Sequence, residues 1–182
     1  MTWKIDSAHS EITFKVRHLM ISNVSGSFTQ FSGSIEFDEK NATQAHISAE
    51  IDPASINTRE GNRDGHLKSP DFFDVASYPT ITFNSTHIET TDAKHGKVTG
   101  DLTMHGVTKS VTLDVEFMGL GVNPMSRATS AAFTALTKIN RKDWGLNWNA
   151  ALEAGGVMVS EEVAVSIEIE AVRQEAGEKV TA

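Results

Sequence analysis

Four basic side chains, Arg59, Arg63, His66 and Lys68, fall within about ten positions of one another. Such a group can grip a diphosphate or a carboxylate at the mouth of a pocket. Glu60, Asp64, Asp71 and Asp74 lie among them, so the spacing favours a self-neutralised, salt-bridged helix surface. His18 and His87 share parity with apolar strand residues. Pointing inward, each offers acid–base chemistry or a hydrogen bond to a ligand headgroup; the plainer reading is two partly exposed strand-end residues. The seven histidines form no His-x-His or His-x-x-x-His pair, so no metal site is assigned. Asp101, Thr103 and His105 share one strand face, which reads as a solvated turn. Gly-x-Ser-x-Gly, a phosphate-binding glycine loop and His-Glu-x-x-His are all missing from the sequence, so no catalytic residue is assigned. Cysteine is absent too, which removes disulfides, thiolate metal sites and cysteine nucleophiles together.

These side chains must be carried by strands. Ile12, Phe14 and Val16 alternate with Thr13, Lys15 and Arg17, the period of two expected of a half-buried strand. Val24, Gly26 and Phe28 sit on the opposite parity from Phe31, Gly33, Ile35 and Phe37. One extra residue near Thr29–Gln30 reconciles them, which predicts a β-bulge. The same alternation marks Ala45–Ile51, Ile81–Phe83, Val98–Met104, Val111–Phe117 and Val163–Ile169, and more weakly Ala128–Ile139. About eight strands with one apolar face each close most simply into an up-and-down barrel, which leaves no free edge; a sandwich has the same pattern. The exception is Thr58–Val75, where the spacing of Leu67, Phe72 and Val75 suits a short helix and turn. A long non-strand segment inside a β-domain is usually a lid, a plug or a functional loop.

The inward face decides whether such a barrel is solid. Gly26, Ala45, Ala49 and Gly100 on that face are small and would leave volume unfilled, giving an elongated apolar pocket. Alternatively Phe14, Phe28, Phe83 and Phe117 fill it.

The chain has 182 residues, enough for one domain, read here as residues 1–172, with 173–182 as a polar tail. A net charge of −8 argues against nucleic acid and anionic lipid surfaces as general partners. The N-terminus MTWKIDSAHS lacks the basic and apolar regions of a signal peptide, and no stretch of about 18 apolar residues occurs. The expectation is a cytoplasmic chain with no transmembrane segment.

Four pieces of the sequence carry a resemblance: IDSAHSEITFKVRHL (Ile5–Leu19), NTREGNRDGHLKSPDFFDVASYPTITF (Asn57–Phe83), GDLTMHGVTKSVTLDV (Gly100–Val115) and INRKDWGLNWN (Ile139–Asn149). Over nearly its whole length the chain resembles the YceI-like family. The resemblance implies an all-β fold: an eight-stranded antiparallel, lipocalin-like barrel with a short helical insertion between two strands. It also implies a bound polyisoprenoid or quinone-like lipid, with no required cofactor, held for sequestration, storage or transport. A homodimer is the family-level expectation; many members carry a leader and are periplasmic. The inward positions Ile12, Phe14, Val16, His18, Phe83, Leu102, Met104 and Val115 lie in matching pieces and are expected to touch the ligand. Phe28 and Phe117 share that face, and Trp144 and Trp148 of the last piece are expected to line the pocket as well. Phe72 and Phe73 are expected to gate or seal it. The competing readings are an enzyme acting on a small lipid with His18 or His87 as acid–base, and a ligand-free structural barrel.

Overall fold

The alternating segments form eleven strands of one antiparallel sheet that closes on itself. The structure is a computed structural model and describes residues 1–174. In chain order the strands are β1 (Thr2–Ile5), β2 (Glu11–His18), β3 (Ser22–Phe28), β4 (Phe31–Glu36), β5 (His46–Ile51) and β6 (Ile56–Asn57). After the helix α1 (Gly61–Lys68) come β7 (Ile81–Thr90), β8 (His95–Met104), β9 (Val107–Val122), β10 (Thr129–Asn140) and β11 (Glu162–Arg173). Three successive pairs, β1–β2, β3–β4 and β5–β6, are single paths with a break. Thus β1 pairs with β4 while β2 pairs with β3, and both β1 and β2 pair with β11. Counted by path, the barrel has eight strands. Arg173 is still in the ladder, opposite Trp3; the tail beyond Gln174 lies outside the described residues.

The parity change foreseen near Thr29–Gln30 is a break in the ladder. Ser55 fills it, its carbonyl accepting from the Thr29 N–H (3.3 Å) and its hydroxyl from the Gln30 N–H (3.0 Å). Phe28 and Phe31 on either side then both face the interior. A second irregularity, between Ser85 and His87, was not foreseen. Ser85 and Ile88 are turned inward or half-buried, while His87 is turned out, its side chain 64% exposed and 3.1 Å from Glu89. Period-two counting from Phe83 therefore fails at His87, because Thr86 is the extra residue.

The helix is shorter than Thr58–Val75. Glu60 caps it, its carboxylate accepting from the N–H groups of Asn62 (3.1 Å) and Arg63 (2.7 Å). Ser69 ends it, and Pro70 cannot continue it. Turns then carry the chain to β7. Among the described residues no helix is long and apolar enough to cross a membrane.

Two packed regions hold the barrel ends. At the upper end, where β1 begins and β11 finishes, Trp3, Ile35, Phe37, Ala131 and Ala171 are buried together. There the rings of Phe37, Phe117 and Phe133 lie 5.3–5.5 Å apart. At the lower end Ile81, Phe83, Val98, Met104, Val111, Trp144 and Leu146 form the other.

The interior glycines have a different use from the one their size suggests. A Cβ on Gly26 would come within 2.3 Å of the Phe14 ring, and one on Gly100 within 2.4 Å of the Phe83 ring. Each glycine is covered by a phenyl group, so it creates no void. At Gly100 a Cβ would also meet the carbonyl oxygen of Asn84 at 2.6 Å, and backbone in a ladder yields little. Gly100→Ala is therefore expected to cost about 1–3 kcal/mol of stability, read as a lower denaturant midpoint. An unchanged midpoint would show that the ring and the ladder tolerate the methyl group.

Candidate ligand-binding cavity

Every path of the barrel turns apolar side chains inward, yet many of them remain only half-buried. On β11, Val163, Val165 and Ile167 are all intermediate in exposure. The reason is a cavity of about 880 Å³ inside the barrel, at the upper part of the size range of small-molecule sites. The four phenylalanines named from the sequence do not fill the interior; they line it.

The structure places Ile12, Phe14, Val16 and His18 of β2 on this wall, with Phe28 of β3. Phe83 of β7, Leu102 and Met104 of β8, and Val115 and Phe117 of β9 complete the strand-borne set. Sequence reasoning did not name Val163, Val165, Ile167 and Ile169 as site residues, although they line the cavity too. Their alternation was visible; it was used only to close the barrel.

The lower end is covered by the segment that interrupts the strands. Phe72 is 6% exposed and stands edge-on to His66 (5.1 Å) and tilted against Trp148 (5.5 Å). His66 in turn stacks edge-on with Trp148 at 4.8 Å, and Phe73 meets Phe28 at 5.9 Å. Phe72, Phe73, His66 and Trp148 all line the cavity. Trp144 does not. It is 2% exposed, packs into the lower core, and donates from Nε1 to the Leu102 carbonyl at 3.0 Å. A short 3-10 turn over Arg141–Trp144, ended by Gly145 at φ 76°, sends the two tryptophans in different directions.

The charges of the helical segment are arranged otherwise than their spacing suggests. Glu60 serves the helix N-terminus, and Asp64 accepts from the N–H (2.9 Å) and the hydroxyl of Thr58. Arg63 donates to the Thr58 hydroxyl (2.8 Å) and carbonyl (2.9 Å). Among the described residues the one ion pair in this segment is His66–Asp71 at 2.9 Å. The expected salt-bridged surface is thus mostly absent among the described residues, because Glu60 and Asp64 are taken by backbone and hydroxyl donors.

Arg141 is a further residue that sequence reasoning missed. It lies in the last quoted piece, INRKDWGLNWN, but a one-turn helix gives no period from which its direction could be read. Its side chain lines the cavity and is only 4% exposed. Nε donates to the Ser160 carbonyl (2.9 Å), and the terminal nitrogens donate to the carbonyls of Leu146 and Val159. The guanidinium sits 5.8 Å over the Phe72 ring. No ion pair among the described residues includes it; nearby Glu161 is held by Lys142 at 2.7 Å. Burial pushes the guanidinium below its ordinary pKa, though an arginine stays charged.

His18 faces the cavity, and its side chain makes no hydrogen bond among the described residues. Those residues contain no group of three His, Cys, Asp or Glu placed to hold a metal ion.

With this geometry in hand, comparison with known proteins is specific. The sequence profile of the YceI-like domain matches residues 3–171. A UPF0312 protein of Staphylococcus aureus is 44% identical over 158 residues, spanning 87% of this chain and 90% of the relative. The crystal structure of BcnA from Burkholderia cenocepacia superposes with a TM-score of 0.80 at 24% identity, covering 91% of this chain and 98% of that one. A polyisoprenoid-binding domain from Saccharophagus degradans, implicated in plant cell wall breakdown, superposes with a TM-score of 0.70 at 17% identity, covering 94% and 98%.

Proposed function

Because the chain belongs to the YceI-like domain family, we propose that it binds a long-chain amphiphile, a polyisoprenoid or quinone-like lipid, with the tail along the barrel axis. The observation that carries this reading is the cavity, about 880 Å³ with side chains from every path of the barrel on its wall. Each buried methylene of such a tail gains about 0.8 kcal/mol, so a long chain is held by accumulation and no single contact is required. The binding-domain neighbour from Saccharophagus degradans supports the same class of ligand. Phe72, Phe73 and Trp148 act as the cover over the lower end. Of the histidines on the wall, His18 has no hydrogen-bonded side-chain partner among the described residues, while His66 pairs with Asp71 and His95 with Asp92. Holding and carrying is favoured by the apolar residues that make up most of the wall.

The direct test is native mass spectrometry of the protein taken gently from its host, followed by solvent extraction. The expected result is a bound species of a few hundred daltons that dissociates on extraction and can be replaced by an added isoprenoid alcohol. A protein that carries nothing and cannot be loaded would overturn the proposal.

A further inference from the structure

We infer that the β2–β3 turn at the lower end of the barrel docks the protein on a bilayer surface that carries anionic lipid. Leu19, Met20 and Ile21 enter the interface, and Lys15 and Arg17 meet the lipid phosphates. The inference goes beyond the lipid-binding reading and takes from it only the choice of a membrane as partner. Three observations carry it.

The first is the composition of the turn. Leu19 and Met20 both have left-handed backbone, at φ 52° and 65°. That conformation is costly for a residue with a branched or long side chain, and Gly, Asn or Asp usually fills it. Leu19, Met20 and Ile21 are nevertheless 38%, 51% and 81% exposed. Strained backbone and apolar area in water both count against this turn in folding alone. Positions where local rules fail are those expected to serve function.

The second is that the turn is pinned in this shape. The Leu19 N–H donates to the Met158 carbonyl (2.8 Å) and the Ile21 N–H to the His18 carbonyl (3.2 Å). The Arg17 guanidinium donates to the Met20 carbonyl (3.4 Å). Met20 lies over Gly156, where a Cβ would stand 3.1 Å from its Cγ. The apolar tips are thus held outward in advance, and docking costs little ordering. The adjoining turn exposes Ala151, Ala154, Gly155 and Gly156, with Glu153 as its one charge. Both turns run directly into the cavity wall through His18, Met158 and Val159. A lipid passing from a bilayer to the barrel therefore meets this face at the covered end.

The third is local charge. Lys15 and Arg17 are exposed on the outer face of β2, and no ion pair among the described residues includes either. The acids on that flank are already held, Glu161 by Lys142 at 2.7 Å and Glu162 by Lys138 at 3.2 Å. A net charge of −8 opposes adsorption of the molecule at large, so cations beside an apolar tip select this face for anionic headgroups. A second copy of the chain on a two-fold axis here would set the same cations against each other. The other exposed apolar side chains, among them Val122 and Met125, lie on the β9–β10 hairpin at the upper end, away from the cover.

The chain has no cysteine, so one introduced thiol carries a fluorophore to a chosen site. Ile21→Cys labelled with the environment-sensitive NBD group is titrated with vesicles of phosphatidylcholine, alone or mixed with phosphatidylglycerol. With the mixed vesicles its emission should rise and move to shorter wavelength, while the same label on Met125→Cys stays unchanged. Adding Lys15→Gln and Arg17→Gln should weaken vesicle affinity about thirtyfold. Should that protein not fold, Lys15→Gln alone decides, at about fivefold. Leu19→Ser/Ile21→Ser should fail to compete with the labelled protein for vesicles, yet bind geranylgeraniol in solution as the wild type does. No change at Ile21, an equal change at Met125, or equal affinity for the two kinds of vesicle would each overturn the inference and leave the lipid-binding reading standing. An Ile21 signal that grows with protein concentration without vesicles would assign the turn to a second copy and overturn it as well. Docking as expected by a protein that carries no lipid would keep this face and remove the lipid-binding reading instead.

Discussion

Ala49→Trp is expected to abolish tight binding of a long-chain ligand while leaving the barrel folded. Ala49 lines the cavity from β5, between Gly33 of β4 and Phe83 of β7 in the ladder. An indole there projects into open volume, so the overpacking that usually costs about 1–3 kcal/mol is relieved. If it excludes about four methylenes of a tail, at about 0.8 kcal/mol each, affinity falls by about 3 kcal/mol, roughly 200-fold. The control is Glu50→Trp. One residue along the strand the side chain points to the opposite face, and Glu50 is exposed, so uptake should match the wild type. Isothermal titration with a C20 isoprenoid reads both variants, and thermal melts show that both are folded. Full binding by Ala49→Trp would mean that the tail does not occupy the barrel.

This pair of variants uses what period-two patterning conveys well. Alternation needs only the pleat, so the inward faces of β2, β8 and β9 are legible from apolar residues alone. Legibility ends where one residue breaks the count. The break at Thr29–Gln30 is visible because apolar residues stand on both sides of it with opposite parity. The break at Thr86 is not, because the short stretch His87–Thr90 has only Ile88 to report the change, and a histidine is acceptable on either face. The glycines mislead for another reason. A sequence shows a missing side chain at Gly26 or Gly100, but only the fold brings the Phe14 or Phe83 ring over it.

The lower end of the cavity lay furthest from reach. Its polar groups come from β2, from the Asn57–Phe83 segment and from the Arg141–Ser160 segment, which meet only when the barrel closes. A cluster of charges was visible around α1, and counting signs predicted mutual neutralisation. In the fold Glu60 and Asp64 are spent on the N–H groups of Asn62 and Arg63 and on Thr58, Asp71 pairs with His66, and of the basic groups Arg63 and His66 reach the wall. Net charge along a segment therefore says little about which sign faces a pocket.

The two tryptophans of the INRKDWGLNWN piece are expected to behave in opposite ways, and the larger effect belongs to the one outside the cavity. Trp144→Ala should destabilise the protein by about 3–5 kcal/mol, a large part of the 5–15 kcal/mol typical of a domain. The side chain is almost completely buried among Ile81, Val98, Met104, Val111 and Leu146, so truncation leaves a cavity that neighbours on three strands cannot all move to fill. The Leu102 carbonyl also loses its indole N–H donor. The Trp144 carbonyl, which accepts from His105 Nδ1 at 3.0 Å, ties the β8–β9 turn to this segment, and this main-chain bond remains available in the variant. Trp148→Ala should cost less, because Trp148 is half-buried and its ring packs on His66 and Phe72 at the cover. Its effect should appear as faster ligand release instead. Urea unfolding at unchanged m-value measures the first quantity, and stopped-flow displacement of a fluorescent isoprenoid measures the second. A Trp144→Ala protein within about 1 kcal/mol of the wild type would show that the lower core can close over the gap, a tolerance that large-to-small changes at fully buried sites rarely allow.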